Sequence, residues 1–300
     1  MPLNALIDID ALTDEHIEHI LGRSVDLLNG AEPVARGHIV ANLFFEPSTR
    51  TRTSFEIAAR RLGLTVINMD GPRSSMTKGE SLIDTLATLH AMGVELAVIR
   101  HGQTGICHEI VEQLPAGLSL INAGDGCGQH PTQALLDAAT LMAHGVDLAH
   151  AKVVIVGDLR HSRVARSNMR LLSRLGVAEV VLAAPTPWMP EAIPDGVAIT
   201  ASNSFDEALD GADVVMMLRV QQERMDEGTG IDWAAYHAEW GLTAERLAKA
   251  KPHCWVMHPG PMNRGIEITD EVANGDRCLV LKQVEMSVCT RMAIFESMLA

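Results

Sequence analysis

Aromatic side chains are scarce in this chain of 300 residues: 4 Trp, 5 Phe and a single Tyr. That scarcity argues against a surface that stacks nucleic-acid bases on rings. Positive charge is also short. Lys and Arg number 24 against 38 Asp and Glu, a net charge of −14, which excludes a broad basic face for nucleic acid. An acidic chain that binds an anion must gather its few cations locally, so clustered Arg and Lys carry information. No apolar run approaches the length of a membrane span. The five cysteines (Cys107, Cys127, Cys254, Cys278 and Cys289) are odd in number and never at C-x-x-C spacing. This points to reduced thiols in a cytoplasmic chain, with neither a disulfide framework nor a zinc knot. Asp8, Asp10, Asp14 and Glu15 give the N-terminus the wrong charge for a signal or transit peptide.

What remains is ordinary globular composition, 47% hydrophobic and 21% charged, at a length that favours two domains. Apolar runs and helical periodicity alternate. Strands are expected at His38–Phe45, Thr65–Met69, Glu95–Arg100 and Leu118–Asn122. Helices are expected at Ser48–Leu62, Ser81–Met92, around Thr104–Gln113 and from His130 to about His144. The rhythm restarts with strands at Lys152–Val156, Glu179–Ala183, Val197–Thr200, Asp213–Leu218 and Cys254–Met257, a helix at Ser162–Leu175 and a last helix over Val284–Leu299. The expected fold is α/β: two doubly wound domains with mainly parallel sheets, the C-terminal helix packing back on the N-terminal domain. The division falls at 1–131 plus 287–300 for the first domain and 132–286 for the second.

Common cofactor motifs fail. Val153–Gly157 continues without G-x-G-x-x-G, and Gly124–Gly128 has the wrong glycine spacing. Lys78 follows no Walker glycines, and neither H-E-x-x-H nor G-x-S-x-G occurs. Thirteen histidines form no tight cluster with Cys or carboxylates. The pair His253 and His258, flanking a strand, reads as structural. No metal and no cofactor is expected.

The strongest positive signal is Phe44-Phe45-Glu46-Pro47-Ser48-Thr49-Arg50-Thr51-Arg52. A strand ends, a turn follows, and a helix starts at or near Ser48. The first amides of that helix lack intrahelical partners and carry the positive end of the dipole. Hydroxyls and Arg50 add donors there, which is the chemistry of a phosphate site at the carboxyl edge of an open sheet. Arg52, two residues from Arg50, faces elsewhere and reads as a structural ion-pair residue. A second signal is His130-Pro131-Thr132-Gln133. Proline fixes a helix start, and His130 and Gln133 share one face of its first turn. The dipole disfavours imidazolium there, so a neutral imidazole and an amide could polarise and orient a carbonyl. A third is the Ser/Gly/Lys loop Ser74-Ser75-Met76-Thr77-Lys78-Gly79-Glu80-Ser81, which precedes a helix and can present an ammonium to an anion. Arg100, Arg163, Arg219, Arg224 and Arg264 all sit at or just past strand ends, more than scattered surface charge explains.

The set F-F-E-P-S-T-R-T-R, S-S-M-T-K-G-E-S, H-P-T-Q-A-L-L-D, L-R-V-Q-x-E-R and H-P-G-P-x-N-R-G, in this order along the whole chain, resembles the aspartate/ornithine carbamoyltransferase superfamily. The R-V-Q and H-P-G-P motifs point to its aspartate carbamoyltransferase branch and its catalytic chain. The resemblance implies transfer of the carbamoyl group of carbamoyl phosphate to the α-amino group of L-aspartate, a step of pyrimidine biosynthesis. It implies that Ser48, Thr49, Arg50, Thr51 and Arg100 hold the phosphate. Arg50, Thr51 and His130 would donate to the carbamoyl oxygen, while Gln133 and the carbonyls around Gly260 and Pro261 accept from its NH2. Arg163, Arg219 and Gln221 would take the carboxylates of aspartate. Ser74 and Lys78 would reach a neighbouring subunit's site in a homotrimer, Lys78 serving both aspartate and catalysis. Regulatory or dihydroorotase-type chains are possible further partners; nucleic acid and membrane are not. The alternatives are a carbamoyltransferase with another acceptor, such as ornithine, and a non-catalytic anion-binding relative.

Overall fold

The computed structural model describes residues 3–34, 37–70, 79–193, 198–220 and 232–299. The chain divides into two compact units, Met1–Ala139 with Val284–Ala300, and Thr140–Gln283. Each is built on its own parallel five-stranded sheet.

The first unit opens with β1 (Ala5–Leu6) and α1 (Asp14–Leu28), neither expected from the sequence. Thr13 and His16 cap α1 reciprocally, and Ile17, Ile20, Leu21, Ser24 and Leu27 form its buried stripe. Then follow β2 (Ile39–Phe44), α2 (Thr49–Arg61), β3 (Thr65–Asp70), α3 (Leu82–Ala91), β4 (Leu96–His101), α4 (Ile106–Val111), β5 (Ser119–Asp125) and α5 (Pro131–Ala143). The strand order is β1-β5-β4-β2-β3. Parallel strands covered on both faces read as near-continuous apolar runs, and so do β2, interrupted only by buried Asn42, and β4 from Leu96 to Ile99. Alternate residues Ala41, Leu43, Ala97 and Ile99 pack with Leu82, Leu86 and Leu89 of α3 and Ile106 and Ile110 of α4. Each of these Leu and Ile side chains contributes about 1.5–3 kcal/mol on burial.

The second unit runs β6 (Lys152–Val156), α6 (Arg163–Arg174), β7 (Glu179–Ala183), β8 (Ile199–Ser202), α7 (Phe205–Leu209), β9 (Val214–Met217), α8 (Trp233–Trp240), α9 (Ala244–Leu247), β10 (Trp255–Met257) and α10 (Asp270–Ala273). Its order is β10-β9-β6-β7-β8. The two faces of this sheet are sorted by alternation. Val154, Val156, Val215 and Met217 meet Phe205, Tyr236 and Trp240 on one side. Val153, Ile155, Val214 and Met216 meet Met169 and Leu172 of α6 on the other. The strand expected at Val197–Thr200 lies later, as Ile199–Ser202.

The last helix, α11 (Val280–Met298), returns to the first unit, as the sequence suggested. Phe295 packs edge-on against Phe55 of α2 at 5.8 Å, and Glu296 pairs with Arg23 of α1 at 2.6 Å. Buried Arg291 lies 4.6 Å over the Phe55 ring and donates to Ser287 O at 3.1 Å. Burial pushes this guanidinium down to about 9, opposed by the Asp137 carboxylate. It stays charged at neutral pH.

Candidate active site

In the first unit, the expected residues gather at the carboxyl ends of three adjacent strands, β2, β4 and β5. Phe44 is in register with Arg100, and Phe45 N–H donates to Arg100 O at 2.8 Å. Ser48 is the N-cap of α2, with φ −161° and ψ 96°, but its hydroxyl makes no capping bond. The caps of α1, α3, α6 and α8 (Thr13, Ser81, Ser162 and Asp232) do make one. Thr49 and Arg50 are exposed in the first turn of α2, and Thr51 is buried. No acidic residue lies in that turn. A cation there opposes the helix dipole by about 0.3–1 kcal/mol, a local cost that a bound anion reverses. Arg100 is mostly buried. Its Nη1 donates to Ala123 O at 3.1 Å, and its Nε lies 3.8 Å from Glu46 Oε2.

His130 arrives at this edge through a hydrogen-bonded turn after β5. Asp125 Oδ1 accepts from Gln129 N–H at 2.8 Å and from Asn122 Nδ2 at 3.1 Å. Asp125 Oδ2 accepts from Gly105 N–H at 2.8 Å. Gln129 Oε1 accepts from Ile9 N–H at 3.2 Å. The glycines are required: a Cβ on Gly128 would stand 2.5 Å from Asp125 Oδ1, and one on Gly126 2.6 Å from Gly102 O. His130 is buried, with Thr132 Oγ1 at 3.5 Å from its Nδ1. Gln133 donates its Nε2 to Asp137 Oδ1 at 2.9 Å. That bond turns the amide so that Oε1 is the atom left to accept. Asp125, Gln129 and Asp137 were not singled out in the sequence. The signal for Asp137 was its i+4 spacing from Gln133 on one helix face.

In the second unit, three more adjacent strand ends carry the expected residues. Arg163 follows β6 as the first residue of α6 and is buried. Like Arg50, it puts a cation against a helix dipole. Arg219 follows β9, and Gly260 and Pro261 follow β10, joined by a cis peptide bond. Leu218 N–H donates to Val156 O at 2.8 Å, and Gly157 leaves only 3.2 Å between a built Cβ and Leu218 Cβ. The β6 and β9 ends are therefore held close. Asn263 Nδ2 donates to Val220 O at 2.9 Å, tying the β10 loop to the β9 loop. Arg264, read from the sequence as a strand-end cation, is engaged with Asp270 at 2.6 Å. Ser74, Lys78, Gln221 and Arg224 lie outside the described residues. Among the described residues no three His, Cys, Asp or Glu are placed to hold a metal ion. Nor is any helix long and apolar enough to cross a membrane.

The two sheets thus define an α/β protein that gathers arginines at the carboxyl ends of its strands. Residues 4–143 match the carbamoyl-P binding domain, and residues 149–298 the Asp/Orn binding domain, of aspartate/ornithine carbamoyltransferase. The aspartate carbamoyltransferase catalytic subunit of Xanthomonas campestris pv. campestris (strain B100) is 50% identical over 272 residues, 90% of this chain and 86% of its own. That of Stenotrophomonas maltophilia (strain R551-3) is 46% identical over 307 residues, 99% and 96% of the two chains. The aspartate transcarbamoylase of Trypanosoma cruzi, solved with carbamoyl phosphate and aspartate, superposes with a TM-score of 0.87 at 29% identity, covering 99% of this chain and 97% of that one. The ornithine carbamoyltransferase of Pyrococcus furiosus gives a TM-score of 0.84 at 25% identity over 97% and 96%. The chain belongs to the aspartate/ornithine carbamoyltransferase family.

Proposed function

We infer that the chain transfers the carbamoyl group of carbamoyl phosphate to the α-amino group of L-aspartate, giving N-carbamoyl-L-aspartate and phosphate. The observation that carries this reading is that each unit has its own strand-end edge, and the two edges are of unlike design. One combines an open helix N-terminus with Arg50, Arg100 and His130. The other carries two arginines with an H-P-G-P loop. The curated relatives at 46–50% identity bear the aspartate enzyme's name.

In this reading the amides and hydroxyls at Ser48, Thr49 and Thr51, with Arg50 and Arg100, hold the phosphate. The aspartate amine attacks the carbamoyl carbon. A C–N bond forms, the C–O bond to phosphate breaks, and the amine proton leaves with the phosphate. The carbonyl oxygen gains charge on the way, where Arg50, Thr51 and His130 donate to it. Gln133 Oε1, oriented by Asp137, accepts from the carbamoyl NH2, as do the carbonyls around Gly260 and Pro261. Those acceptors read the amide end of the group, which a simple acyl phosphate lacks. The guanidinium forks of Arg163 and Arg219, with Gln221, select the carboxylates of aspartate. The chain works as a homotrimer in which Ser74 and Lys78 serve the adjacent subunit. The five cysteines, none of them in a disulfide, suit a reducing cytoplasm.

Purified protein supplied with carbamoyl phosphate should form carbamoyl-aspartate from aspartate, and far less product from ornithine. Product from ornithine alone would move the chain to the other acceptor class, and no product from either amine would end the transferase reading. The acceptor arginines give a sharper test. Arg163→Ala and Arg219→Ala should each raise the aspartate KM and lower kcat/KM by about 10²-fold, the scale of losing a charge-assisted fork. Carbamoyl phosphate binding, followed by calorimetry, should change little. Lost carbamoyl phosphate affinity with normal aspartate dependence would assign these arginines to the wrong ligand.

A further inference from the structure

The segment after β10 is closed on itself by two side chains that are wholly buried. His258 and Glu267 are both 0% exposed, with Nε2 and Oε1 at 3.1 Å. His258 Nδ1 accepts from Gly260 N–H at 2.8 Å. A ring nitrogen that accepts from a backbone amide bears no proton, so the imidazole is neutral and its one proton sits on Nε2, facing Glu267. The same Glu267 Oε1 accepts from Asn263 N–H at 2.5 Å. Asn263 in turn spends its side chain on Val220 O, next to Arg219. Gln283 Oε1 accepts from His258 N–H at 3.0 Å and fixes the start of the loop. Leu242 N–H, donating to Glu267 O at 2.9 Å, fixes its end.

A carboxylate at complete burial is costly, and packing alone would be served better by an apolar residue. Glu267 Oε2 has no hydrogen-bond partner among the described residues. What the site uses is one oxygen, Oε1, with two donors. Both donors belong to the loop that carries Gly260 and Pro261. We propose that Glu267 is a positioning residue. It locks His258 as the Nε2–H imidazole, and through His258 and Asn263 it sets the Gly260–Pro261 carbonyls and the main chain beside Arg219. This rests on the reading of the chain as an aspartate-dependent carbamoyltransferase. Under that reading a single buried acceptor keeps the carbamoyl NH2 acceptors and an aspartate arginine in mutual register. A displacement of about 1 Å in such groups costs on the order of 10²-fold in rate.

The test compares Glu267→Ala with Glu267→Gln in the full-length protein. Glutamine can place its Oε1 where the two donors need it and replaces only the other oxygen, by an NH2 group. Glu267→Ala should lose about 10²-fold in kcat and raise the aspartate KM, while calorimetric carbamoyl phosphate affinity and the circular dichroism spectrum hold. Glu267→Gln should recover activity to within about tenfold of the unsubstituted protein. If Glu267→Ala does not fold, His258→Gln takes its place with the same expectation, because it removes the acceptor for Gly260 N–H. A folded Glu267→Ala or His258→Gln protein with kcat and KM within threefold of normal overturns the proposal. So does a Glu267→Gln protein as impaired as the alanine variant. An unsubstituted protein that binds carbamoyl phosphate but never turns over overturns the transfer reading, and this role with it. An active unsubstituted protein with active variants overturns the positioning role alone.

Discussion

Arg50→Ala is expected to lower turnover at saturating substrates by about 10²-fold or more, the scale of removing one oxyanion donor. Arg50 stands in the first turn of α2, exposed, beside an N-cap serine whose hydroxyl does not close the helix. In the proposed mechanism it touches both the phosphate and the carbonyl oxygen that becomes an oxyanion. The size of the stability change separates this role from a structural one. A cation in the first turn of a helix opposes the dipole by about 0.3–1 kcal/mol, which offsets part of any stability lost on its removal, so Tm should fall little while activity falls far. A protein that loses activity while losing little stability is one whose arginine serves the ligand. Arg50→Lys should recover only part of the loss, since an ammonium cannot bridge two oxygens in one plane. Turnover near normal in Arg50→Ala would remove the phosphate from this edge, and with it the assignment of Ser48, Thr49 and Thr51.

Much of this architecture was legible because buried parallel strands need apolar runs and their return helices need amphipathic ones. β2, β4, β6 and β9 announce themselves in that way, and so do α2 and α6. The short elements did not. β1 is two residues long, and its pairing with β5 depends on a partner more than a hundred residues away. α1 carries a helical stripe from Ile17 to Leu27, but Gly22 and Ser24 within it dilute the signal. The cations of the site were legible for a different reason. Arg50 and Arg163 break the local preference of helix N-termini, and such violations collect where function needs them. The residues that hold the other groups of the site in place were not. Asp125, Asp137 and Glu267 act through partners that only the folded chain supplies: a turn amide, an amide side chain and a buried imidazole. His258 was read as structural. The structure adds that both its ring nitrogens are engaged, one by Gly260 and one by Glu267.

Lys78→Ala and His130→Ala should each leave almost no activity, and the two inactive proteins should restore one another. The motivation lies in sequence: the segment Gly71 to Lys78, with Gly71, Pro72, Ser74 and Ser75, ends in a lysine and lies outside the described residues. In the family this chain belongs to, we propose that this lysine completes the site of the next subunit. A head-to-tail interface of that kind closes into a ring of three. Each site then takes its Arg50, Arg100 and His130 from one chain and its Lys78 from another. When the two variants are dissociated, mixed in equal amounts and reassembled, a site can draw its core from the Lys78 variant and its loop from the His130 variant. That site lacks nothing. Random assembly makes about a quarter of the sites whole, so activity should return to about a quarter of the unsubstituted level. Were Lys78 to act within its own chain, every site would carry one defect and nothing would return. Native mass spectrometry that finds mixed trimers, together with a carbamoyl-aspartate assay that stays at the parental level, would rule out the shared site.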